Sequence, residues 1–348
     1  MINGWSNGKN LLHKMMNFSE EKTITSNTIT ISNFLPQIGL EDIRKEILTG
    51  LQADQKYISS KFFYDEKGSS LFEEITKLEE YYPTRTEKSI LKNIDSSVFK
   101  EYSNKSIIEL GSGDCSKISL FLSRIAEAKL ENITYYPVDV SQSAIEESVK
   151  CLLKQYPMLK VNGLVADFMH QLDFLPEGGE RIFCFFGSTL GNFTREQSIQ
   201  FLQSLYNFMR VGDELFLGLD MVKDIHILEA AYNDNKEVTA AFNLNILNAV
   251  NQLIESDINI DDFEHIAFYN KDKERIEMHL KALNDMEIKS PFSDQTIGLK
   301  KEEMIHTENS HKFSKTYINH LAEKTELEVS NIFTDEKGWF SLVHLLKK

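Results

Sequence analysis

Glu109-Leu110-Gly111-Ser112-Gly113-Asp114-Cys115-Ser116-Lys117 sets two glycines two residues apart just after a short apolar run. Without a Cβ at either position the backbone can approach a ligand closely, and a helix beginning beyond them offers its N-terminal amides to electron-rich groups. A tight structural turn would use the same residues. Asp139 closes a second apolar run, where a carboxylate can accept both hydroxyls of a ribose. Asp167-Phe168 closes a third, where an acid can take an adenine amino group and an aromatic ring can cover the base. Each acid could instead cap a helix, and Ser141, two residues after Asp139, is a rival cap. Taken in succession the three features describe a nucleoside site. Ser116 stands where a dinucleotide fingerprint has its third glycine, which weighs against a pyrophosphate and a nicotinamide-dependent dehydrogenase. S-adenosylmethionine, with a carboxylate and a sulfonium but no phosphate, needs only the looser Gly-x-Gly turn.

These residues have to be held at the ends of strands, and from Ser106 the chain has the rhythm for it. Short apolar runs at Ser106–Leu110, Ile133–Val138, Val161–Val165, Arg181–Phe186 and Glu214–Leu219 alternate with amphipathic stretches, the pattern of a doubly wound α/β sheet. Ile145, Val149, Leu152, Leu153 and Tyr156 recur at helical spacing, and Pro157 ends that helix. Thr194 followed by Gln197 predicts a capping box opening a helix over Arg195–Met209. Leu327–Phe333 and Trp339–Leu346, joined through Gly338, predict a terminal antiparallel hairpin. Five parallel strands closed by such a pair is the layout of small-molecule methyltransferases. The fourth strand delivers Gly187-Ser188-Thr189-Leu190-Gly191-Asn192, facing the reactive end of a bound cofactor. It is unlike the Asn/Asp-Pro-Pro-Tyr loops that grip a flipped base.

Between sheet and hairpin, residues 221–312 leave this rhythm. They read as helices at Ile227–Tyr232 and Val238–Leu253, then paired strands at Phe263–Tyr269 and Arg275–Leu280, an inserted α+β domain completed by residues 36–85. The Rossmann part is then 86–220 with 313–348, and residues 1–35, rich in Ser, Thr, Asn and Lys, read as a variable, mobile N-terminus. Composition narrows the partners. The chain has 348 residues, 41% hydrophobic and 26% charged, with a formal charge of −15. That balance disfavours a polyphosphate partner, although solubility alone would also account for it. Cys115, Cys151 and Cys184 are too few and too scattered for a disulfide framework or a zinc site and read as reduced thiols. No apolar run reaches a membrane span, and Asn10, His13, Lys14 and Asn17 interrupt any secretory leader, so a cytoplasmic monomer acting on a small molecule, with no nucleic-acid or membrane partner, is the expectation.

Further motifs occur in a fixed order. Phe63-Tyr64-Asp65, Gly68-Ser69-Ser70-Leu71-Phe72 and Glu80-Tyr81-Tyr82-Pro83-Thr84-Arg85-Thr86-Glu87 precede the glycine turn and the Gly187–Asn192 loop. Asp220-Met221-Val222-Lys223-Asp224, Val238-Thr239-Ala240-Ala241-Phe242-Asn243, Arg275-Ile276-Glu277-Met278 and His306-Thr307-Glu308-Asn309-Ser310 follow. Together, from about Leu35 to the C-terminus, they resemble the L-histidine Nα-methyltransferases of ergothioneine biosynthesis. The resemblance implies a class I methyltransferase core with an inserted substrate-binding domain, S-adenosylmethionine as cofactor, and hercynine, the trimethylated betaine of histidine, as product. By motif matching it implies cofactor contacts from Gly111, Lys117, Asp139, Asp167 and Phe168. It implies amino-acid contacts from Tyr81, Asn192, Tyr232, Glu308 and Ser310, with Tyr64 near the amine as the catalytic candidate.

The chemistry of those types is consistent with the implied task. Asn192 and Tyr232 can donate to a carboxylate, although a tyrosine on an amphipathic helix can equally be a core residue. Glu308 and Ser310, two apart on an extended segment, point to one face and can bind the two nitrogens of an imidazole; an exposed Glu on a strand is the plainer alternative. Glu308 with Met278 suits an imidazole better than an indole, which separates histidine from the rival substrate, an aromatic amino acid such as tryptophan. A non-catalytic cofactor-binding regulator is the other alternative, and the intact substrate set weighs against it.

Overall fold

The computed structural model describes residues 29–35, 39–169 and 172–348. The elements in chain order are β1 (Ile29–Asn33), α1 (Leu40–Gln52), α2 (Glu66–Ile75), α3 (Tyr82–Asn93), β2 (Ser106–Leu110), α4 (Ser116–Leu122), α5 (Glu127–Leu130), β3 (Thr134–Asp139), α6 (Gln142–Gln155), β4 (Lys160–Val165), β5 (Arg181–Phe185), α7 (Arg195–Phe208), β6 (Glu214–Asp220), α8 (Ile225–Ala230), α9 (Val238–Ile254), β7 (Phe263–Asn270), β8 (Arg275–Ala282), β9 (Met286–Ile288), β10 (Ile297–Leu299), β11 (Met304–His311), α10 (Lys315–Thr325), β12 (Glu328–Thr334) and β13 (Phe340–Leu346). They fall into two compact units: 39–82 with 223–310, and 29–35, 83–222 and 311–348.

In the second unit one sheet has the strand order β1-β4-β3-β2-β5-β6-β13-β12. From β1 to β6 all neighbours are parallel; β13 runs antiparallel between β6 and β12. Every residue of β5 and β6 is buried, as expected of parallel strands covered on both faces, and their unbroken apolar runs are the sequence form of that burial. Ile107, Phe121, Ile145 and Leu152 pack one face, Ile108, Phe183, Phe201 and Leu217 the other. Consecutive strands run outward from β2 through β3 to β4 and then from β5 to β6, so strand order reverses between β2 and β5. Ligands bind such sheets outside the carboxyl ends of the strands at that reversal.

Two sequence expectations are corrected here. Residues 29–33 do not belong to a loose N-terminus: they form β1, a sixth parallel strand, with Ile31 buried against Gly163, where a Cβ would meet Ile145 at 2.7 Å and Ile31 at 3.1 Å. The expectation for residues 1–28 lies outside the described residues. Nor are all three cysteines free. Cys115, at the start of α4, and Cys151, on α6, form a disulfide with Cα atoms 6.4 Å apart; Cys184 is a buried thiol. The two helices pack on one face of the sheet, which brings together cysteines 36 residues apart in the chain.

In the first unit α9 is the central helix, with Phe242, Ile246, Leu247 and Val250 buried. Phe63 stacks on Phe242 at 4.5 Å between ring centroids, tying the early segment to the late one. A three-stranded sheet of order β11-β8-β7 and a short antiparallel β9–β10 pair complete it. Among the described residues, no helix is long and apolar enough to cross a membrane.

Candidate active site

The turn after β2 is shaped by its glycines. Gly111 has φ +71° and Gly113 φ +48°, both in the left-handed region that side chains disfavour. A Cβ on Gly113 would meet nothing within 4 Å, and one on Gly111 would meet only the Phe168 ring at 3.8 Å. The backbone is therefore bare toward open space, with an aromatic ring beside it, as a nucleoside cradle requires. Asp139, at the end of β3, accepts from Gly113 N–H at 3.2 Å and from Ser141 N–H at 2.9 Å. Its carboxyl is raised above the ordinary value, burial outweighing those backbone hydrogen bonds. Ser141, not Asp139, caps α6, its hydroxyl accepting from Ala144 N–H. The rival reading of Asp139 as a helix cap thus falls away. After β4, Asp167 accepts from Met169 N–H at 3.0 Å, and the Phe168 ring lies edge-on to Phe185 at 5.6 Å. Gly111 and Gly113, Asp139, and Asp167 with Phe168 thus stand at the carboxyl ends of β2, β3 and β4. These residues fit S-adenosylmethionine.

The loop after β5 is held at three points. Glu87 takes Gly187 N–H with both carboxylate oxygens at 2.9 Å. Asp220 N–H donates to Ser188 Oγ at 2.9 Å. His311 Nδ1 pairs with Gly191 O at 3.0 Å, and a Cβ on Gly191 would meet His311 O at 2.8 Å, so only glycine permits the approach. Gly187 (φ +81°) and Ser188 (φ +57°) turn the chain, and Thr189–Asn192 form a single 3-10 turn that leaves Asn192 half-buried. Lys117, on the first turn of α4, pairs with Glu87 at 2.9 Å.

In the other unit the anticipated tyrosines are neighbours. Tyr64 and Phe72 are edge-to-face at 5.9 Å, Phe72 and Tyr81 at 6.4 Å, and Tyr81 and Tyr232 at 6.4 Å. Tyr64 is 47% exposed, whereas Tyr232 is buried and donates its hydroxyl hydrogen to Ser310 Oγ at 2.8 Å. Ser310 and Glu308 lie on β11, an extended strand whose pleat sends both to one face. Met278 is buried on the adjacent strand β8, and its carbonyl accepts from Thr307 Oγ1 at 3.1 Å. His306 is structural in its contacts: its backbone exchanges hydrogen bonds with Lys56 and Ile58, and its ring meets Asn309 Oδ1 at 2.9 Å.

Behind Tyr232 sits a polar hub. Asn243, wholly buried on α9, donates to His265 Nδ1 at 2.8 Å and to His279 O at 2.9 Å, and accepts from Thr307 Oγ1 at 2.7 Å. With Nδ1 accepting, His265 is the tautomer whose Nε2–H donates to Tyr232 O at 2.9 Å. Sequence reading assigned no role to Asn243, His265 or Glu87. For Glu87 a signal existed: it shares a helical face with Ile90 and Leu91, both buried, so a charge stands in an apolar stripe.

Known proteins bear on this geometry. Residues 43–347 match the histidine-specific, S-adenosylmethionine-dependent methyltransferases as a family. A histidine N-alpha-methyltransferase of Mycolicibacterium smegmatis is 36% identical over 317 residues, covering 90% of this chain and 98% of its own length. One from Mycobacterium tuberculosis is 36% identical over 316 residues, with the same coverage of both chains. The ergothioneine biosynthesis protein 1 of Schizosaccharomyces pombe is 30% identical over 78% of this chain, which spans 36% of that longer protein. The α/β fold, the crevice at the strand ends and these matches agree: this chain belongs to the histidine-specific, S-adenosylmethionine-dependent methyltransferase family.

Proposed function

We propose that this chain methylates the α-amine of L-histidine, through successive transfers, to the trimethylated betaine hercynine. The observation that carries the substrate reading is the buried Tyr232–Ser310 hydrogen bond, set beside the Tyr81 ring on the strand that also bears Glu308. A polar patch of this kind within aromatic surroundings suits a planar ring with two nitrogens. It would leave its polar groups unmatched against an indole or phenyl ring, which is how such sites discriminate strongly.

S-adenosylmethionine supplies a methyl group already activated on a sulfonium. The chain's own residues then have to bind and orient. Gly111, Lys117, Asp139, Asp167 and Phe168 form the cofactor set; Tyr81, Asn192, Tyr232, Met278, Glu308 and Ser310 form the substrate set. Asn192 donates to the amino-acid carboxylate, joined by the Tyr232 hydroxyl once its single hydrogen turns from Ser310 Oγ, while Glu308 and the Ser310 hydroxyl so released take the imidazole nitrogens. Holding a neutral amine in line for attack supplies roughly 7–11 kcal/mol of the barrier. Tyr64, partly open to water, assists proton loss from the amine between transfers. A small-molecule substrate, a cytoplasmic site of action and a monomeric state belong to the same proposal, and it includes neither nucleic acid nor membrane.

The test is mass spectrometry of reactions containing the purified protein, S-adenosylmethionine and each of the twenty amino acids. Mono-, di- and trimethylated histidine as the sole products support the reading. Methylated tryptophan or tyrosine in their place overturns the substrate assignment, and absence of any product overturns the activity.

A further inference from the structure

Glu87 is fully buried, yet the carboxylate holds two walls of the cofactor crevice at once. Both of its oxygens accept from Gly187 N–H, the first residue of the loop that ends at Asn192, and Oε2 pairs with Lys117 Nζ, each at 2.9 Å. Lys117 stands on α4, which follows the turn after β2, and Gly187 belongs to the turn after β5; those two strands flank the reversal of strand order. Glu87 itself comes from α3, outside both turns. Two glycines make the space. A Cβ on Gly218 would stand 2.2 Å from Glu87 Oε1, and one on Gly187 would stand 2.9 Å from Lys117 Nζ. Lys117 keeps one-fifth of its side chain exposed while its ammonium meets the buried carboxylate.

We propose that Glu87 is a positioning residue for the methyl donor: it fixes the Lys117 ammonium and the start of the Gly187–Asn192 loop in the places that S-adenosylmethionine requires. The inference rests on the cofactor reading given above. A bare ammonium on a four-carbon stem samples many positions, and an ionic partner aligned by two further hydrogen bonds restricts it to one. The same carboxylate sets the loop, so both walls move together when it is lost. Burying a charge without this compensation would be strongly unfavourable, which explains why a full ion pair rather than a lone acid occupies the position.

The experiment is a double-mutant cycle on Glu87 and Lys117, read as the dissociation constant of S-adenosylhomocysteine by calorimetry, with the melting temperature recorded beside it. Glu87→Gln keeps an acceptor for Gly187 N–H and removes the charge that holds Lys117. The expected result is a loss of affinity of about tenfold or more for Glu87→Gln, with Lys117→Met similarly weakened. The double variant is then no weaker, within about twofold, than the weaker single, because Glu87 acts through Lys117. A merely structural Glu87 would lower the melting temperature and give losses that add. Gly218→Ala is the second probe: it leaves both charges in place, displaces the carboxylate and weakens binding in the same direction. Unchanged or tighter binding in Glu87→Gln, or in Gly218→Ala where Glu87→Gln does not fold, overturns the inference and leaves the cofactor reading intact. Absence of binding to the unmodified protein overturns both.

Discussion

Asn243→Asp changes one nitrogen to oxygen and reverses the polarity of a buried hub. Asn243 Nδ2 now supplies hydrogens to His265 Nδ1 and to His279 O. An ionised aspartate supplies neither, and its oxygen faces the His265 lone pair. At about 1–3 kcal/mol for each buried group left without its partner, the variant should be less stable by about 2–6 kcal/mol at pH 8. That deficit must depend on pH. In the unmodified protein burial holds His265 below its ordinary value of 6.5, against the pull of Tyr232 O, Asp234 and Glu264. Its contribution to stability is therefore full above pH 6.5 and declines as pH falls toward the folded value. In the variant the facing carboxylate raises the pair's affinity for a proton, whether that proton sits on the ring or on the carboxyl. This contribution is full below the unfolded value and is lost as pH rises through the folded one. The difference between the two proteins should shrink, from pH 8 toward pH 5.5, by up to about 1.4 kcal/mol per pH unit. Urea titrations of both proteins at four pH values measure it. A difference independent of pH would refute the assigned tautomer and with it the link from Asn243 to Tyr232.

Two further predictions test the substrate set and the thiols. Tyr232→Phe removes the hydroxyl that meets Ser310 Oγ. The KM for histidine should rise about fivefold to tenfold, the net worth of one hydrogen bond, with S-adenosylmethionine affinity unaltered; equal losses for both ligands would place the hydroxyl elsewhere in the mechanism. Thiol titration of the unfolded, unreduced protein should find one free cysteine, Cys184, and three after reduction. Three before reduction would remove the Cys115–Cys151 pair, and because such bonds are rare in the cytosol, the state of protein taken directly from cells bears on the proposed location.

The central sheet was legible because its signal is local. β2 matches the anticipated span, and β5 and β6 differ from theirs by one residue at one end, since mostly apolar runs of five to seven residues admit few registers. The Thr194–Gln197 capping box is present, each side chain meeting the other residue's backbone. β1 was hidden because its buried Ile31 alternates with Thr and Ser in a polar stretch, and burial comes from a partner strand more than a hundred residues away. A separation of 36 residues, closed only by helix packing on the sheet, hides the Cys115–Cys151 pair. Among the functional candidates, Gly111, Asp139, Asp167 and Phe168 could be assigned to strand ends because each stands at or just beyond the end of an apolar run. The role of Asn243 was not legible, because what matters is which distant groups its side chain meets, and for Glu87 the sequence shows a charge in an apolar stripe but not its partners.

The unit built from residues 39–82 and 223–310 is interrupted by most of the other unit. Phe63, buried on the early segment, stacks on Phe242 about 180 residues later. On a ribosome adding about 5–20 residues each second, α1, α2 and their buried Ile47, Leu51, Phe62 and Phe63 emerge about 10–40 s before α9 exists to cover them. For that interval the nascent chain carries an apolar surface whose partner has not been made. Yield in the cell should therefore respond to translation speed and to chaperone supply across this window, while the finished enzyme, once both segments have met, bears no trace of the delay.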